Sequence, residues 1–237
     1  MVWEPLQVIR DALPNLLLGA IVTLQLTAFS TVLGMIGGSL VAIGRLYGPG
    51  PLKLLMRVYV DFFRGTPLLV QIFMIYFGLP SLLRELGLQF TFDRFPAAVL
   101  ALTLNSAAYI SEIVRGGIQS IEKGQSEASQ SLGLGPIQTM RYIIFPQALQ
   151  RMLPPLGNEF ITLLKDTSLV AIIGYEELFR RGQLIVASNY RAFEIYAAVA
   201  LVYLCLTLLS SQVFSFLEKW MSPTYRAQRK ARLQVNE

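Results

Sequence analysis

The feature that most restricts this sequence is a series of apolar stretches, each long enough to cross the hydrocarbon of a membrane. A helical crossing needs about 20 mainly apolar residues. By this criterion the candidate spans lie near residues 14–43, 54–83, 95–118, 150–173 and 194–219. The sequence therefore predicts an all-α integral membrane protein with five transmembrane helices, in which residues 1–237 form a single transmembrane domain.

The composition agrees with a membrane protein and excludes several kinds of chemistry. Hydrophobic residues make up 54% of the chain and charged residues 15%, and the mean hydropathy is +0.52. There is no His and a single Cys, so disulfides, His/Cys metal sites and His-based acid–base catalysis are excluded. The net charge of +5 comes from basic residues that flank apolar segments, which indicates an orientation signal and not a nucleic-acid-binding surface.

The distribution of Lys and Arg between the spans predicts how the chain is oriented. Alternate loops on one side carry 12 of these residues, and those on the other side carry six. The richer side holds Arg45, Lys53 and Arg57, the segment from Arg115 to Arg151, and the tail from Lys219 to Arg232. Because cytoplasmic loops are enriched in Lys and Arg, we expect the N-terminus outside and the C-terminus in the cytoplasm.

The fourth candidate span contains polar and charged residues that lipid would not tolerate. At 100° per residue they fall in one sector of the helix. They are Asn158, Glu159, Thr162, Lys165 and Asp166. A Lys or Asp at the centre of a span costs about 2.5–3.5 kcal/mol, so these residues must face protein or water. They predict a pathway or an internal ion-pair network. The neighbouring Pro154–Pro155 pair is expected to break or kink the helix.

The second candidate span carries a similar interruption between Asp61 and Pro67. Asp61 and Arg64 are three residues apart and could form an ion pair. Two interpretations stay open: Arg64 meets the carboxylate of a solute while Glu159 or Asp61 meets its ammonium group, or these charges only neutralise one another. On the first interpretation the residues of the substrate pathway are Asp61, Arg64, Asn158, Glu159 and Thr162.

The first and third spans carry signals of helix packing. Gly34 and Gly38 form a small-xxx-small pair that allows a close helix contact. Glu112 and Arg115 are three residues apart, and we interpret them as an intrahelical pair near the membrane surface, outside the site.

The loop between the third and fourth spans, about 119–147, is predicted to contain secondary structure of its own. It predicts a short helix after Gly124, a glycine stop at Gly133 to Gly135, and a second short helix that begins at Pro136. A loop of this length with internal structure is usually functional.

This loop also carries the residues of a family signature, Glu127-Ala128-Ser129, then Gly133, then Ile143 to Pro146. It resembles the signature of importer permeases of the ATP-binding-cassette (ABC) superfamily, with Ser129 and Phe145 as mild departures. Further similar segments are Thr23–Thr27, Phe63–Leu68, Glu112–Gly117 and Pro155–Glu159. Together they narrow the resemblance to the polar amino-acid uptake branch.

The resemblance implies a type I ABC importer permease fold, with a coupling helix at roughly Pro136 to Phe145 that docks on an ATPase. The residues that it assigns to this joint are Glu127, Ala128, Gly133, Pro136 and Pro146. It also implies the partners: a dimer of ATPase subunits, a second permease that is identical or related, and an extracytoplasmic amino-acid-binding protein. The implied function is to move polar or basic amino acids across the bacterial inner membrane.

The sequence has no Gly-x-x-x-x-Gly-Lys-Ser/Thr segment with which to bind nucleotide phosphates. We therefore expect a permease subunit, not an enzyme, with no cofactor of its own and with ATP bound by the partner. The alternatives are a channel or an ion-coupled carrier and a membrane-embedded enzyme. The structured loop argues against the former, and the absence of His removes most arrangements of the latter. The expected surroundings are membrane lipid and amino-acid substrate, without nucleic acid.

Overall fold

The computed structural model describes residues 4–221, which form helices and turns and contain no β-strand. Its α-helices are α1 (Glu4–Tyr47), α2 (Gly50–Gly65), α3 (Leu68–Phe73), α4 (Leu79–Glu85), α5 (Arg94–Gln119), α6 (Lys123–Ser131), α7 (Pro136–Thr139), α8 (Phe145–Asp166), α9 (Leu178–Asn189) and α10 (Ala192–Met221). The basic tail from Arg226 to Arg232 lies outside the described residues. The all-α prediction is confirmed for the part that the structure describes.

Four helical segments between residues 4 and 221 are long and apolar enough to cross a membrane. They are Pro5–Tyr47, Leu68–Glu85, Arg94–Gln119 and Ala192–Met221. The predicted fourth span at 150–173 falls on α8 and the 3-10 helix Thr167–Ile173 that follows it. Because polar side chains lower its hydropathy, α8 is not among the four, and the count of five crossings stays a prediction.

The helices α1 and α5 lie side by side and run in the same direction. Phe29 packs edge-on against Phe95 near the start of α5, and Arg45 pairs with Glu112 near its end. Between these points a Cβ on Gly38 would lie 2.8 Å from the Ala107 carbonyl oxygen, which shows how closely the backbones approach. The C-terminal ends of α1 and α5 therefore lie together with α6, and we call this end of the bundle the α6 end.

Two π-helical turns, Met74–Gly78 and Met140–Ile144, each have a proline two residues beyond their end. Pro80 and Pro146 have no N–H to donate to the carbonyl four residues earlier, which belongs to the central residue of the π turn in both cases. The helix is wider at each of these points but does not stop. The segment from Pro136 to Asp166 is consequently continuous, because α7, a π turn and α8 follow without a gap.

The structure corrects two expectations about this region. The second loop helix does not end at Phe145, since it continues through the π turn into α8. Of the two outcomes expected at Pro154–Pro155, a break or a kink, the break does not occur, because α8 is helical from Phe145 to Asp166. The fixed φ of proline is compatible with a helix, so the pair removes two backbone hydrogen bonds without ending it.

The second predicted span is interrupted as expected, at Thr66 and Pro67 between α2 and α3. The side-chain amide of Gln71 donates to the carbonyl oxygens of Phe63 at 2.9 Å and Thr66 at 3.0 Å. Asn105 from α5 donates to the Gln71 side chain at 2.9 Å and to the Phe63 carbonyl at 3.3 Å. Backbone groups freed by the break are thus satisfied by protein, as a membrane interior requires.

Replacing Gln71 with Leu is expected to destabilise the fold by about 1–3 kcal/mol, because the Thr66 carbonyl loses its side-chain donor while the Phe63 carbonyl keeps Asn105. The measurement is thermal unfolding of the purified protein in detergent. Gln25→Leu is the matched control, because it makes the same chemical change at an exposed position of α1 without a hydrogen bond in the described structure. Equal melting temperatures for the two variants would contradict a bracing role for Gln71.

Candidate functional site

The centre of the bundle holds a carboxylate that is hydrogen-bonded across two helices. The hydroxyl of Ser106, fully buried near the middle of α5, donates to Oε1 of Glu159 on α8 at 3.0 Å. Glu159 is only half-buried. One of its oxygens is therefore fixed by the protein, and the carboxylate still reaches the surface of the single chain.

Arg64 lies near this carboxylate but is held by an aromatic ring. Its guanidinium carbon is 5.2 Å from the ring centre of Tyr109 on α5, which is the geometry of a cation–π contact. Ser106 and Tyr109 are three residues apart on α5, so the side chains that they contact, Glu159 and Arg64, lie at the same face of that helix. Within residues 4–221 Asp61 forms no ion pair with Arg64 or any other residue, so the predicted pairing of these two residues is wrong.

One face of α8 is polar and exposed in the single chain. Asn158, Thr162 and Lys165 are four and three residues apart, and all three are exposed. We call them the α8 polar stripe. The exposed face of α10 carries apolar side chains instead: Leu201, Leu204, Leu208, Leu209, Val213 and Phe216. The α10 face suits lipid, whereas the stripe needs contact with protein or water.

Of the predicted pathway residues, the structure brings Arg64 and Glu159 together and places Asn158 and Thr162 on the adjacent stripe. Asp61 is exposed on α2 and has no side-chain hydrogen bond in the described structure. Ser106 and Tyr109, which hold Glu159 and Arg64, were not expected in the site. Their side chains gave no sequence signal, because small and aromatic residues are common in any membrane helix.

Glu177 is a buried carboxylate that was not expected from the sequence. It is fully buried at the N-cap of α9, where it accepts hydrogen bonds from the backbone N–H groups of Phe179 at 2.9 Å and Arg180 at 2.7 Å. The Tyr203 hydroxyl of α10 donates to the same carboxylate at 2.8 Å. This carboxylate therefore caps α9 and ties it to α10. The sequence signal that could have indicated this cap is a Glu directly before the apolar start of a helix.

Glu112 joins two helices at the α6 end. Its predicted ion pair with Arg115 is confirmed, with a nitrogen–oxygen distance of 2.5 Å, and its other oxygen pairs with Arg45 of α1. One carboxylate between two guanidinium groups fixes the C-terminal ends of α1 and α5 relative to each other. Because both carboxylate oxygens are occupied, Glu112 has little capacity left for a solute.

The loop at the α6 end folds back on the helix that follows it. Gly133 ends α6 with φ +82°, a left-handed conformation that glycine adopts without strain. The hydroxyls of Ser129 and Thr139 lie 2.9 Å apart, and the Gln147 side chain donates to Gln125 at 3.2 Å. Contacts on both sides of the Gly133 turn thus hold α6 against α7 and the start of α8.

The outer surface of this loop is apolar and exposed. Leu132 is 82% exposed and Ile137 83%. Beside them lies a cleft of about 470 Å³, lined by Tyr47, Pro136, Ile137, Met140, Arg141 and Phe145. The residues predicted at the ATPase joint are also exposed here: Glu127, Ala128, Gly133, Pro136 and Pro146. We call Leu132, Ile137 and this cleft the loop face.

Known proteins share both the sequence and the fold. Residues 34–223 match the family described as binding-protein-dependent transport system inner membrane component. The glutamine transport system permease protein GlnP of Escherichia coli (strain K12) is 45% identical over 213 residues, which cover 90% of this chain and 95% of that protein. The arginine transport system permease protein ArtQ of Bacillus subtilis (strain 168) is 37% identical over 87% of this chain and 92% of its own length.

Solved structures agree with these relatives. A crystal structure of an amino acid ABC transporter with histidines superposes with a TM-score of 0.83 at 39% identity, and covers 92% of this chain and 99% of that one. An inward-facing MetNI methionine ABC transporter superposes with a TM-score of 0.65 at 22% identity over 94% of this chain and 98% of its own, which shows a common fold. The chain therefore has the type I ABC importer permease fold and belongs to the binding-protein-dependent transport system inner membrane components, permease subunits whose ATPase is a separate subunit.

Proposed function

We propose that this chain is one of two permease subunits of an ABC importer that moves polar or basic amino acids across the bacterial inner membrane. The observation that carries the proposal is the α8 polar stripe, exposed in one chain beside the hydrogen-bonded Glu159. A second permease, identical or related, packs over the α8 polar stripe and leaves a water-filled pathway between the two subunits. Residues 1–237 act as the single permease domain, with five crossings.

The chemistry of the pathway suits an amino acid. Glu159 has a free carboxylate oxygen for an ammonium group, because Ser106 holds only the other one. Arg64, stacked on Tyr109, offers guanidinium N–H groups to a carboxylate. Asn158 and Thr162 offer neutral donors and acceptors along the stripe. Relatives of this chain are named as permeases for glutamine, arginine and L-cystine, which supports an amino-acid solute.

The loop face is the proposed docking site for the ATPase subunits. Two apolar side chains more than 80% exposed, next to an apolar cleft, are typical of a protein interface and not of a solvated loop. ATP is bound by these partners, and the permease itself needs no cofactor. Because Glu112 and its two arginines join α1 to α5 beside this loop, movement of the loop face is passed to the helices.

The α6 end is the proposed cytoplasmic end, with the N-terminus outside. Single cysteines in a Cys205→Ala background test this assignment: Ser131→Cys lies on exposed α6, and Thr91→Cys lies in the exposed loop before α5 at the opposite end. We expect a membrane-impermeant maleimide to label Thr91→Cys on intact cells and Ser131→Cys only after permeabilisation. The reverse pattern would invert the orientation.

The function is tested by uptake of labelled amino acids into vesicles that contain this chain, its ATPase and its binding protein. We expect accumulation only with ATP on the ATPase side. Uptake that does not depend on ATP and is driven by a proton or sodium gradient would show that the protein is an ion-coupled carrier and not an importer of this class.

A further inference from the structure

A polar cleft, separate from the apolar cleft of the loop face, lies at the end of the bundle opposite α6. It has a volume of about 500 Å³, within the range usual for small-molecule sites. Its walls come from three separate parts of the chain: Tyr76 after α3, Phe92 to Phe95 at the start of α5, and Gly174 to Glu176 before α9. None of these residues belongs to the pathway described above.

The cleft holds one cation and one anion that the protein does not use. Within residues 4–221 the side chains of Arg94 and Asp93 form no hydrogen bond or ion pair, and Asp93 does not cap α5 although it occupies the N-cap position. Glu176 differs, because Arg181 lies 3.6 Å from its carboxylate. The two free charges are therefore Arg94 and Asp93, adjacent in sequence and lining the same cleft.

The remaining walls are aromatic, with a glycine beside the cation. The ring centres of Phe95 and Tyr175 are 5.9 Å apart. Gly174 adopts φ +76°, and a Cβ at this position would lie 3.6 Å from the guanidinium carbon of Arg94. A side chain there would be strained by this φ, whereas the added Cβ alone would meet Arg94 at an ordinary van der Waals distance. The guanidinium group and the two rings all line the cleft, so an aliphatic segment bound in it would lie against the rings.

We infer that this cleft is an outer subsite for an α-amino acid zwitterion, which it holds before the solute reaches Glu159. Arg94 binds the α-carboxylate through paired N–H donors, and Asp93 binds the α-ammonium group. The rings pack on the side-chain stem. A ligand with both charges on one carbon matches two opposite charges that line one cleft without pairing. The inference rests on the proposed importer function and on the proposal that the end opposite α6 faces the outside of the cell.

Solute binding without the binding protein is the direct test. Saturation-transfer NMR is recorded on the purified permease–ATPase complex with L-glutamine and L-arginine as probes. We expect Arg94→Ala and Asp93→Asn each to weaken the apparent affinity of the accepted amino acid by about tenfold or more. Arg10→Ala is the matched control, because it removes another exposed arginine without a partner in the described structure. It should leave the signal unchanged.

Agmatine, which is arginine without its carboxylate, assigns the role of Arg94. Where arginine is the accepted probe, its advantage over agmatine should disappear in Arg94→Ala and persist in Arg10→Ala. Where glutamine is accepted, its amine analogue γ-aminobutyramide serves the same purpose. An Arg94→Ala variant that behaves as Arg10→Ala with both probes would overturn the subsite.

A titration of ATPase activity with loaded binding protein separates the subsite from a protein contact. We expect Arg94→Ala to leave the half-maximal concentration of binding protein unchanged. A raised concentration with an unchanged NMR signal would mean that the cleft contacts the binding protein, which would overturn the inference. Failure of the importer proposal itself would show in the wild type, as uptake that does not depend on ATP, and is therefore recognised separately.

Discussion

Glu159→Gln is expected to reduce uptake of a cationic amino acid at limiting concentration by at least about tenfold, while the permease still assembles with its ATPase. The substitution keeps the size of the side chain and its hydrogen bond from Ser106 but removes the negative charge. A hydrogen bond to a charged group contributes about 1.5–3 kcal/mol, which corresponds to a tenfold or larger change in affinity. The measurement is initial uptake into vesicles over a range of solute concentrations.

The pattern across solutes then says which group Glu159 contacts. If uptake of neutral and cationic amino acids falls equally, the carboxylate binds the α-ammonium group that they share; if only cationic solutes are affected, it binds the side chain. Glu85→Gln, at an exposed position at the end of α4, is the control for loss of a carboxylate elsewhere. Unchanged uptake at limiting solute would remove Glu159 from the pathway.

Ile137→Asp is expected to abolish ATP-driven uptake, because it places a charge at the centre of the loop face. Ile137 is 83% exposed and lines the cleft beside Pro136 and Phe145, so the free permease loses little when it is changed. Side chains at the centre of an interface contribute about 2 kcal/mol or more to binding. We expect the ATPase to dissociate during purification and uptake to fall more than tenfold.

Leu88→Asp is the matched control for this charge. Leu88 is 58% exposed in the loop before α5, at the end opposite α6. It makes the same apolar-to-acidic change where no ATPase is proposed to bind, and it should leave the complex intact. Retention of the ATPase by Ile137→Asp, at the level of Leu88→Asp, would show that the loop face is not the docking site.

Much of the helical framework followed from local patterns in the sequence. Apolar length predicted the helices at 14–43, 95–118 and 194–219, and the glycine at position 133 predicted the end of α6. The π turns could not have been inferred with the same ease. Pro80 and Pro146 each follow one, but Pro14 and Pro154 lie inside α-helices with no π turn directly before them. Of the break or kink expected at Pro154–Pro155, the break does not occur, because a proline pair removes hydrogen bonds but does not by itself decide whether a packed helix ends.

The site was less predictable than the framework. The sequence placed Glu159 and Arg64 inside membrane helices and so identified them as residues that need protein or water. It could not say that Arg64 lies over Tyr109 or that Asp61 has no ion-pair partner among the described residues. Partner choice depends on how α2 and α5 are rotated against each other, and no local pattern encodes that rotation.

The sequence by itself determined which segments are helical and which polar residues the membrane would have to enclose, because both follow from composition over one or two helical turns. Only the tertiary structure decided which side chains form hydrogen bonds with these polar residues. Ser106 and Glu159 are hydrogen-bonded although they are 53 residues apart in the sequence, and Tyr203 and the buried Glu177 although they are 26 apart. Such contacts depend on the approach and register of separate helices, which close packing at Gly38 and its neighbours fixes only in the folded bundle.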